Sequence, residues 1–268
     1  MVNVVIPIYK PYPSKNDKIS ITQCCKILNT HSITLIKPSS LDPSPYFSSS
    51  VQFNIEPFND DFFKDIHGYN RLMLSEDFYR RFLHKDYILI YQLDAFVFKD
   101  ELDKWCKKGY DYIGAPWLDV VNPGKTFKEK IEFARLSQKE YKNNTKQAGS
   151  DLPTDIQFYN RVGNGGFSLR RAKRFYTICK EKKQQIAYYI QNNEHHYFNE
   201  DVFWSLEVNR EKEILRIPDY KTALHFSFEQ RPEYALKKTK GKLPFGCHAW
   251  DMFPEFWNPI LRKEGYLI

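Results

Sequence analysis

An aspartate follows the segment of the chain with the strongest strand pattern. Residues 87–93 form a largely apolar run, and Asp94 comes directly after it. In open α/β sheets, ligands bind at the carboxyl ends of strands, where a carboxylate can hold a hard cation such as Mn²⁺ or Mg²⁺. Such a cation would neutralise phosphate oxygens. An aspartate that caps the next turn explains the position equally well, so Asp94 alone leaves both interpretations open.

A glycine-rich turn at residues 163–167 is the second candidate. The consecutive glycines Gly165 and Gly166 permit positive φ angles and let a ligand approach without interference from a Cβ atom. Asn164 precedes them, and Phe167 follows as a flat aromatic suited to the wall of a sugar pocket. The spacing is not that of a dinucleotide-binding or phosphate-binding loop. A simple hairpin or bulge is the alternative, and we favour a functional turn.

Two adjacent carboxylates, Glu200 and Asp201, begin a predicted helix that Asn199 caps. One carboxylate can stay at the cap while its neighbour projects into a cleft as a general base. Acidic residues are also common at helix N-termini because they interact favourably with the helix dipole. Taken alone, the pair favours this second interpretation.

A histidine, His248, lies in the apolar and aromatic segment 244–250, shortly after four lysines within residues 237–242. A neutral imidazole could complete an oxygen-rich metal site. The lysines could neutralise a departing diphosphate. A histidine that only satisfies backbone groups and a solvated basic loop are the alternatives.

The elements around these residues predict an α/β fold. Residues 2–8 form an apolar run typical of a strand buried on both faces of a parallel sheet. A helix from Ser14 and a strand at residues 32–36 complete a β-α-β opening, and a further helix is predicted over residues 68–82. Helices are also predicted at about residues 171–183, 184–192 and 200–209, and late strands near Ile214 and Ala223. The polar, lysine-rich stretch at about 119–155 predicts an excursion with one solvated helix, of the kind that can act as a lid.

Length and charge limit the classes of protein. The chain has 268 residues, which fits a single domain over 1–268, and a net charge of +7 that favours anionic partners. No apolar run is long enough to span a bilayer, and the start has no pattern of a signal peptide, so we expect a cytoplasmic protein. The five scattered cysteines fit a reducing compartment. No nucleic-acid-binding motif accompanies the charge, so nucleic acid is not an expected partner.

Taken in order, several segments resemble a large family of poorly characterised glycosyltransferases of the GT-A type, common in polysaccharide gene clusters. They run from the first strand to near the end of the chain. The matching segments are residues 4–9, 69–75, 91–96, 109–117, 162–170, 199–203 and 244–248. The resemblance implies a GT-A-like nucleotide-diphospho-sugar transferase fold, with a mixed, mostly parallel central sheet flanked by helices.

The resemblance also implies a donor site with a metal. Asp94 stands where GT-A enzymes place their metal-binding DxD signature, and His248 matches the C-terminal histidine that many of them add to the metal. The signature here keeps one carboxylate, because Gln92 occupies the other position. Either Gln92 replaces the carboxylate nearer the ribose and Asp94 still binds metal, or the lysine-rich loop substitutes for metal; His248 favours the first. The residues implied to hold the nucleotide are Pro7, Ile8, Tyr9, Lys10 and Arg71.

On the acceptor side, Gly165, Gly166 and Phe167 would line the donor sugar and the acceptor. Asp201 or Glu200 would match the acidic pair from which inverting relatives draw their base. We place Tyr112, Trp117 and Asn164 in the same neighbourhood, because flat aromatic faces suit sugar rings.

The expected activity is the transfer of a sugar from a nucleotide sugar, preferably UDP-linked, to a hydroxyl of a saccharide or a lipid-linked glycan. The expectation includes inversion and assistance by a divalent metal. The positive charge also fits peripheral association with the inner leaflet of the membrane. The alternative is a non-catalytic glycan- or nucleotide-binding module on the same scaffold, which the missing second carboxylate supports and the acidic pair opposes.

Overall fold

A computed structural model describes residues 1–47, 51–118 and 126–268. Two sheets organise the described chain, one of six strands and one of three. The strands of the larger sheet are β1 (Val2–Pro7), β2 (Ser32–Pro38), β3 (Phe53–Phe58), β4 (Tyr87–Tyr91), β6 (Tyr112–Ile113) and β7 (Phe167–Arg171). The strands of the smaller sheet are β5 (Phe96–Val97), β8 (Ser227–Phe228) and β9 (Gly246–Cys247).

The larger sheet is mixed and mostly parallel, with the order β3-β2-β1-β4-β7-β6. Strands β1 to β4 pair in parallel, and β7 runs antiparallel to its neighbours β4 and β6. This is the predicted fold class. The β-α-β opening of the sequence is confirmed by the parallel pair β1 and β2.

Helices cover both faces of this sheet. Their bounds are α1 (Lys15–Ile27), α2 (Ile66–Met73), α3 (Glu76–Arg81), α4 (Leu102–Lys107), α5 (Phe127–Asn143), α6 (Ala172–Glu181), α7 (Lys183–Gln191), α8 (Glu200–Val202), α9 (Tyr220–Ala223), α10 (Pro232–Lys238) and α11 (Pro254–Lys263). Every residue of β1 and β4 is buried. Alternate side chains of these strands enter two different apolar clusters: Val5 and Ile88 enter one, and Val4 and Leu89 the other. The unbroken apolar runs in the sequence reflect this burial on both faces.

The helix predicted over residues 68–82 is wrong as one element, because the structure has two. The break occurs where the Ser75 side chain accepts a hydrogen bond from the backbone N–H of Phe78 and starts α3. Ser14 caps α1 in the same manner, together with Asp17 in a capping box, which confirms the predicted start of that helix.

The late strands predicted near Ile214 and Ala223 are also wrong. The Asn209 side chain accepts hydrogen bonds from the backbone N–H groups of Ile214 and Leu215, so this segment bonds to a side chain instead of a strand. Ala223 ends α9, whose first turn Asp219 caps. The late strands are β8, a few residues beyond Ala223, and β9, which begins only at Gly246.

Part of the predicted excursion at 119–155 is visible as α5, a solvated helix that begins with a capping box of Thr126 and Glu129. Residues 119–125 lie outside the described residues, and the lid and the single domain remain predictions. In the described ranges, no helix has both the length and the apolar character needed to cross a membrane.

Candidate active site

The carboxyl ends of the two central parallel strands open onto a cavity of about 510 Å³, hereafter the donor cavity. Residues 7–10 leave β1 there, and residues 92–94 leave β4. The start of α2 and the residues before it form another part of the lining. This volume is typical of sites for small molecules and cofactors. Six residues predicted for the donor site line it: Pro7, Ile8, Tyr9, Lys10, Gln92 and Asp94.

Lys10 is held at the edge of the donor cavity by its neighbours. Its Nζ lies 3.0 Å from the Asp17 carboxylate, and its backbone carbonyl accepts a hydrogen bond from the Tyr46 hydroxyl. Burial lowers the pKa of Lys10, but the hydrogen bond and charge of Asp17 outweigh burial and raise the pKa above its ordinary value. The ammonium is therefore charged at neutral pH, and Lys10 lines the cavity.

Arg71 does not reach the donor cavity. Its guanidinium donates a hydrogen bond to the backbone carbonyl of Asp61, and the cavity lining from α2 comes instead from Ile66 and Tyr69. The prediction that Arg71 holds the nucleotide therefore disagrees with its position.

A cluster of polar side chains from three segments reaches the donor cavity through Asp94. Asp94 lies before β5, Glu229 follows β8 and His248 follows β9, so the small sheet gathers all three at one end. The Nε2 atom of His248 lies 3.1 Å from the Asp94 carboxylate and 3.1 Å from the amide oxygen of Gln92. Its Nδ1 atom lies 3.1 Å from the Glu229 carboxylate, which also accepts a hydrogen bond from the Asn164 amide.

This cluster is charged at neutral pH. Burial lowers the pKa of His248, but the two neighbouring carboxylates, Asp94 first and then Glu229, raise it to about 10. Burial raises the pKa of Asp94, and the imidazolium outweighs burial and holds it below its ordinary value. Asp94 and His248 therefore form an ion pair when no other cation is near.

The donor set of this cluster fits a divalent cation in part. Cations such as Mg²⁺ place ligands at about 2.1 Å, so two ligands on adjacent corners of an octahedron lie roughly 3 Å apart. Asp94 and His248 have that spacing, and the Gln92 amide oxygen is a third donor. No group of three or more His, Cys, Asp or Glu in the described ranges has the arrangement of a complete protein site. A cation here would draw its remaining ligands from phosphate or water.

In the turn at residues 163–167, the two adjacent glycines do not have the predicted role of adopting positive φ angles. The left-handed residue is Asn164, at φ 56°, and neither Gly165 nor Gly166 has a positive φ. The glycines are needed for space: a Cβ on Gly165 would lie 1.8 Å from the Glu200 carboxylate, and one on Gly166 would lie 2.0 Å from the His248 ring. The turn therefore lets the protein's own functional side chains approach its backbone.

The two adjacent carboxylates of the acidic pair lie in different environments. Glu200 is buried against the fully buried guanidinium of Arg170, with two hydrogen bonds of 2.9 and 3.0 Å. The predicted cap is wrong, because the Asn199 side chain accepts from Asn70 and caps nothing, while Asn70 accepts from the Glu200 backbone N–H. Glu200 therefore has a structural partner and does not line the donor cavity.

Asp201 lines a second cavity of about 260 Å³, hereafter the acceptor cavity. Burial, followed by the charges of Glu200 and Glu229, raises the pKa of Asp201 to about 7. A carboxylate with that pKa accepts a proton readily near neutral pH. Glu229 lines the same cavity and contacts His248 behind it, so a short chain of side chains separates the two cavities.

The aromatic residues predicted for the acceptor side separate into two groups. Trp117 lines the acceptor cavity. Tyr112 and Phe167 do not, because both are completely buried: Tyr112 donates a hydrogen bond to the Asn164 carbonyl, and Phe167 packs among core aromatics. The prediction that their faces contact a sugar is therefore wrong. Asn164 orients Glu229 and is nearly buried.

Glu229 is the residue that sequence reasoning missed. It follows β8, a strand of two residues, and the sequence pattern had been assigned a strand several residues earlier. The available signal was a carboxylate directly after the alternating segment 225–228. The same reasoning that selected Asp94 would have selected it.

The chain also matches a family model over residues 52–248, a range that includes Asp94, Asp201, Glu229 and His248. This range covers more than half of the chain. The chain belongs to this family. The family is described as a protein of unknown function (DUF5672), so membership does not supply an activity. No curated protein matches the chain significantly.

Solved structures of glycosyltransferases share the fold. The galactosyltransferase LgtC with donor and acceptor sugar analogues is 11% identical, with a TM-score of 0.51 over 92% of this chain and 86% of that one. An active-site mutant of LgtC is 13% identical, with a TM-score of 0.57 over 98% and 94%. Mouse xyloside xylosyltransferase 1 is 9% identical, with a TM-score of 0.53 over 92% and 96%. The fold of this chain is therefore that of the GT-A glycosyltransferases.

Proposed function

We propose that this protein transfers a glycosyl group from a nucleotide sugar to a hydroxyl of a saccharide or a lipid-linked glycan. The observation that carries the proposal is the pair of cavities on either side of the His248 and Glu229 contact. One cavity has the volume and the lysine suited to a nucleotide diphosphate, and the other holds a carboxylate with a pKa near 7. The shared GT-A fold supports the same activity.

In this proposal the donor cavity holds the nucleotide, preferably UDP. Residues 7–10 and Gln92 contact the nucleoside part, and the Lys10 ammonium faces the phosphates. Asp94 and His248, with Gln92, hold a Mn²⁺ or Mg²⁺ ion. When bound, such a cation stabilises the negative charge on the diphosphate leaving group.

Asp201 is the proposed base. The acceptor oxygen forms a bond to the anomeric carbon as the bond from that carbon to the diphosphate oxygen breaks, and the nucleoside diphosphate leaves with the electron pair. Asp201 takes the proton of the acceptor hydroxyl. A single displacement of this kind inverts the anomeric configuration, which NMR of the product would report.

We also propose peripheral association with the inner leaflet of the cytoplasmic membrane, where lipid-linked acceptors and polysaccharide synthesis meet. A basic pocket lies at the end of the small sheet away from Asp94 and His248, because it involves residues after β5 and before β8 and β9. Glu101 pairs with two of its four lysines. The basic lining residues are Lys99, Lys104, Lys108, Lys242 and His225.

Thermal unfolding with a panel of nucleotides and nucleotide sugars, each with and without Mn²⁺, tests the donor site. A ligand that binds the native state raises the midpoint by mass action. We expect a Mn²⁺-dependent shift with one nucleoside diphosphate, lost in Asp94→Asn and retained in the matched control Asp251→Asn, at another carboxylate of the cavity lining. Equal shifts in Asp94→Asn and wild type would refute the metal site.

Hydrolysis of the stabilising nucleotide sugar without acceptor separates an enzyme from a binding module. Slow release of free sugar by the wild type, lost in Asp201→Asn while donor binding persists, supports the transferase. A stabilising donor with neither hydrolysis nor transfer would support the non-catalytic glycan- or nucleotide-binding module instead.

A further inference from the structure

We propose that the acceptor cavity selects a neutral sugar and excludes acceptors that carry a carboxylate, sulfate or phosphate on the reacting residue. The inference rests on the proposed function, because it assigns the acceptor class of the same site. Three features carry it: an unpaired carboxylate oxygen, the charge of the lining, and an aromatic wall.

The unpaired oxygen belongs to Glu229. Its Oε1 atom accepts a hydrogen bond from Asn164 and contacts His248, whereas its Oε2 atom is buried and has no hydrogen-bond partner among the described residues. A buried carboxylate oxygen without a donor is destabilising, so an O–H group that comes within hydrogen-bond distance of Oε2 is favoured. Sugar hydroxyls supply that donor. The carboxylate group of a uronate and the phosphate group of a diester have no proton to donate at neutral pH.

The charge of the lining also favours a neutral ligand over an anionic one. Three carboxylates line the cavity, from Asp155, Asp201 and Glu229, and the lining contains no lysine or arginine from the described part of the chain. His196 is the lining side chain there that can become positive. The Tyr197 hydroxyl donates to Asp155 and fixes that carboxylate at the cavity. The His248 imidazolium offsets the charge of Glu229 from behind, so an anionic group that enters meets chiefly the like charges of Asp155 and ionised Asp201. The site is partly buried, and repulsion there is poorly screened.

The remaining wall is aromatic. The rings of Trp117 and Phe158 lie 5.4 Å apart between centroids, and those of Phe158 and Tyr197 lie 5.5 Å apart. Trp117 is held in place because Gly163 lets its ring pack against the backbone, where a Cβ would lie 2.1 Å away. Flat rings suit the apolar C–H faces of a sugar and add no positive charge that would attract an anion. The cavity thus combines an apolar face with acceptors for hydroxyl donors.

Saturation-transfer NMR with UDP present tests the selection by direct binding. The neutral probes are methyl glucoside and methyl galactoside. Methyl glucuronide and methyl glucoside 6-phosphate are the anionic counterparts of the first, and methyl galacturonide is the counterpart of the second. We expect at least one neutral glycoside to contact the protein, and its anionic counterpart to bind ~10-fold more weakly. Equal or tighter binding of the anionic probes, or contact by no neutral glycoside, would overturn the inference.

Asp155→Asn sharpens the test, because it removes one negative charge while the amide oxygen can still accept from Tyr197. We expect the ratio of affinities, anionic over neutral, to rise about 3- to 10-fold, whatever happens to the absolute affinity. Asp151→Asn makes the same change at an exposed position outside the cavity lining and leaves the ratio unchanged. An unchanged ratio in Asp155→Asn would contradict the inference.

The outcome is separable from that of the proposed function. Selection for neutral glycosides in a protein that hydrolyses no nucleotide sugar would retain the cavity's specificity and reject catalysis. Transfer to anionic acceptors would support catalysis and reject the selection for neutral sugars.

Discussion

At the scale of single residues, the candidate site depends on how closely side chains approach the backbone. The carboxylate of Glu200 and the ring of His248 occupy the spaces where Gly165 and Gly166 lack a Cβ atom. Asp201, next to Glu200, lies where burial and two other carboxylates raise its pKa to about 7. One step along the chain thus separates an ion-paired carboxylate from one with a pKa of about 7, because neighbouring side chains of a helix point in different directions.

The raised pKa of Asp201 predicts a dependence of stability on pH. Between the ordinary pKa of an aspartate, about 3.9, and the folded value near 7, the native state keeps a proton that the unfolded chain has lost, so stability falls as pH rises through that window. The Asp201→Asn variant cannot ionise at this position, so its stability does not fall in this way as pH rises. We expect the variant to exceed the wild type by on the order of 1–3 kcal/mol at pH 8 in urea unfolding, with the difference vanishing near pH 4.

Asp151→Asn is the control for that experiment, since Asp151 is exposed. A variant at Asp201 that is less stable than the wild type at pH 8 would show that the folded carboxylate is not strained by its surroundings. Loss of turnover together with gained stability would support the role of Asp201 as base, because catalytic groups are often kept at a cost in stability.

At the scale of elements, β7 and α8 are tied together by the buried pair of Arg170 and Glu200. Arg170 is completely buried, and Tyr79 also contacts its guanidinium. Tyr79 belongs to α3, so three elements meet at one charge. This contact positions the helix that presents Asp201 to the acceptor cavity.

Breaking this pair should be costly. Glu200→Gln leaves a buried guanidinium without its counter-ion, and we expect a loss of about 3–5 kcal/mol in the free energy of unfolding. The double variant Arg170→Met, Glu200→Met removes both charges and should recover much of the loss. Urea unfolding at pH 7 measures both. If Glu200→Gln unfolds within 1 kcal/mol of the wild type, roughly the value of an exposed pair, then the pair does not hold α8 in place.

At the scale of the whole molecule, the excess of positive charge is unevenly placed. The net charge is +7, and four lysines gather at the basic pocket on the far end of the small sheet. The sheet that collects Asp94, Glu229 and His248 at one end therefore presents lysines at the other. The proposed membrane-facing surface and the proposed donor site are kept apart by the length of these strands and their flanking turns.

Vesicle sedimentation tests the membrane proposal. We expect the chain to sediment with vesicles that contain phosphatidylglycerol, and not with neutral ones, at low salt, because each lysine near an anionic surface contributes about 1 kcal/mol. Replacement of Lys99, Lys104, Lys108 and Lys242 by Gln should abolish sedimentation. The same number of Gln replacements at exposed lysines of α5 keeps the net charge equal and serves as the control. Sedimentation that is independent of acidic lipid would contradict the proposal.

The sequence by itself determined the central strands and the candidate residues that follow them. Unbroken apolar runs mark strands buried on both faces, and the residue that follows such a strand must emerge at the edge of the sheet, so Asp94 could be placed from the pattern alone. The assignment of residues 7–10 to the same site came from the family resemblance. The start of α1 was also determined locally, because a capping box is a contact within four residues. A local contact of this kind does not depend on the rest of the fold, so it can be predicted from the sequence.

Only the tertiary structure decided which candidates meet. Tyr112 and Phe167 enter the core, and Glu229 joins His248 across the small sheet, through contacts between separate elements. Arg71 turns to the backbone carbonyl of Asp61, which precedes its own helix. The strands β8 and β9 have two residues each, too few for any period to be visible in the sequence. Their pairing comes from packing against the rest of the protein, and so does the pKa of Asp201, because burial and neighbouring charges exist only once the chain has folded.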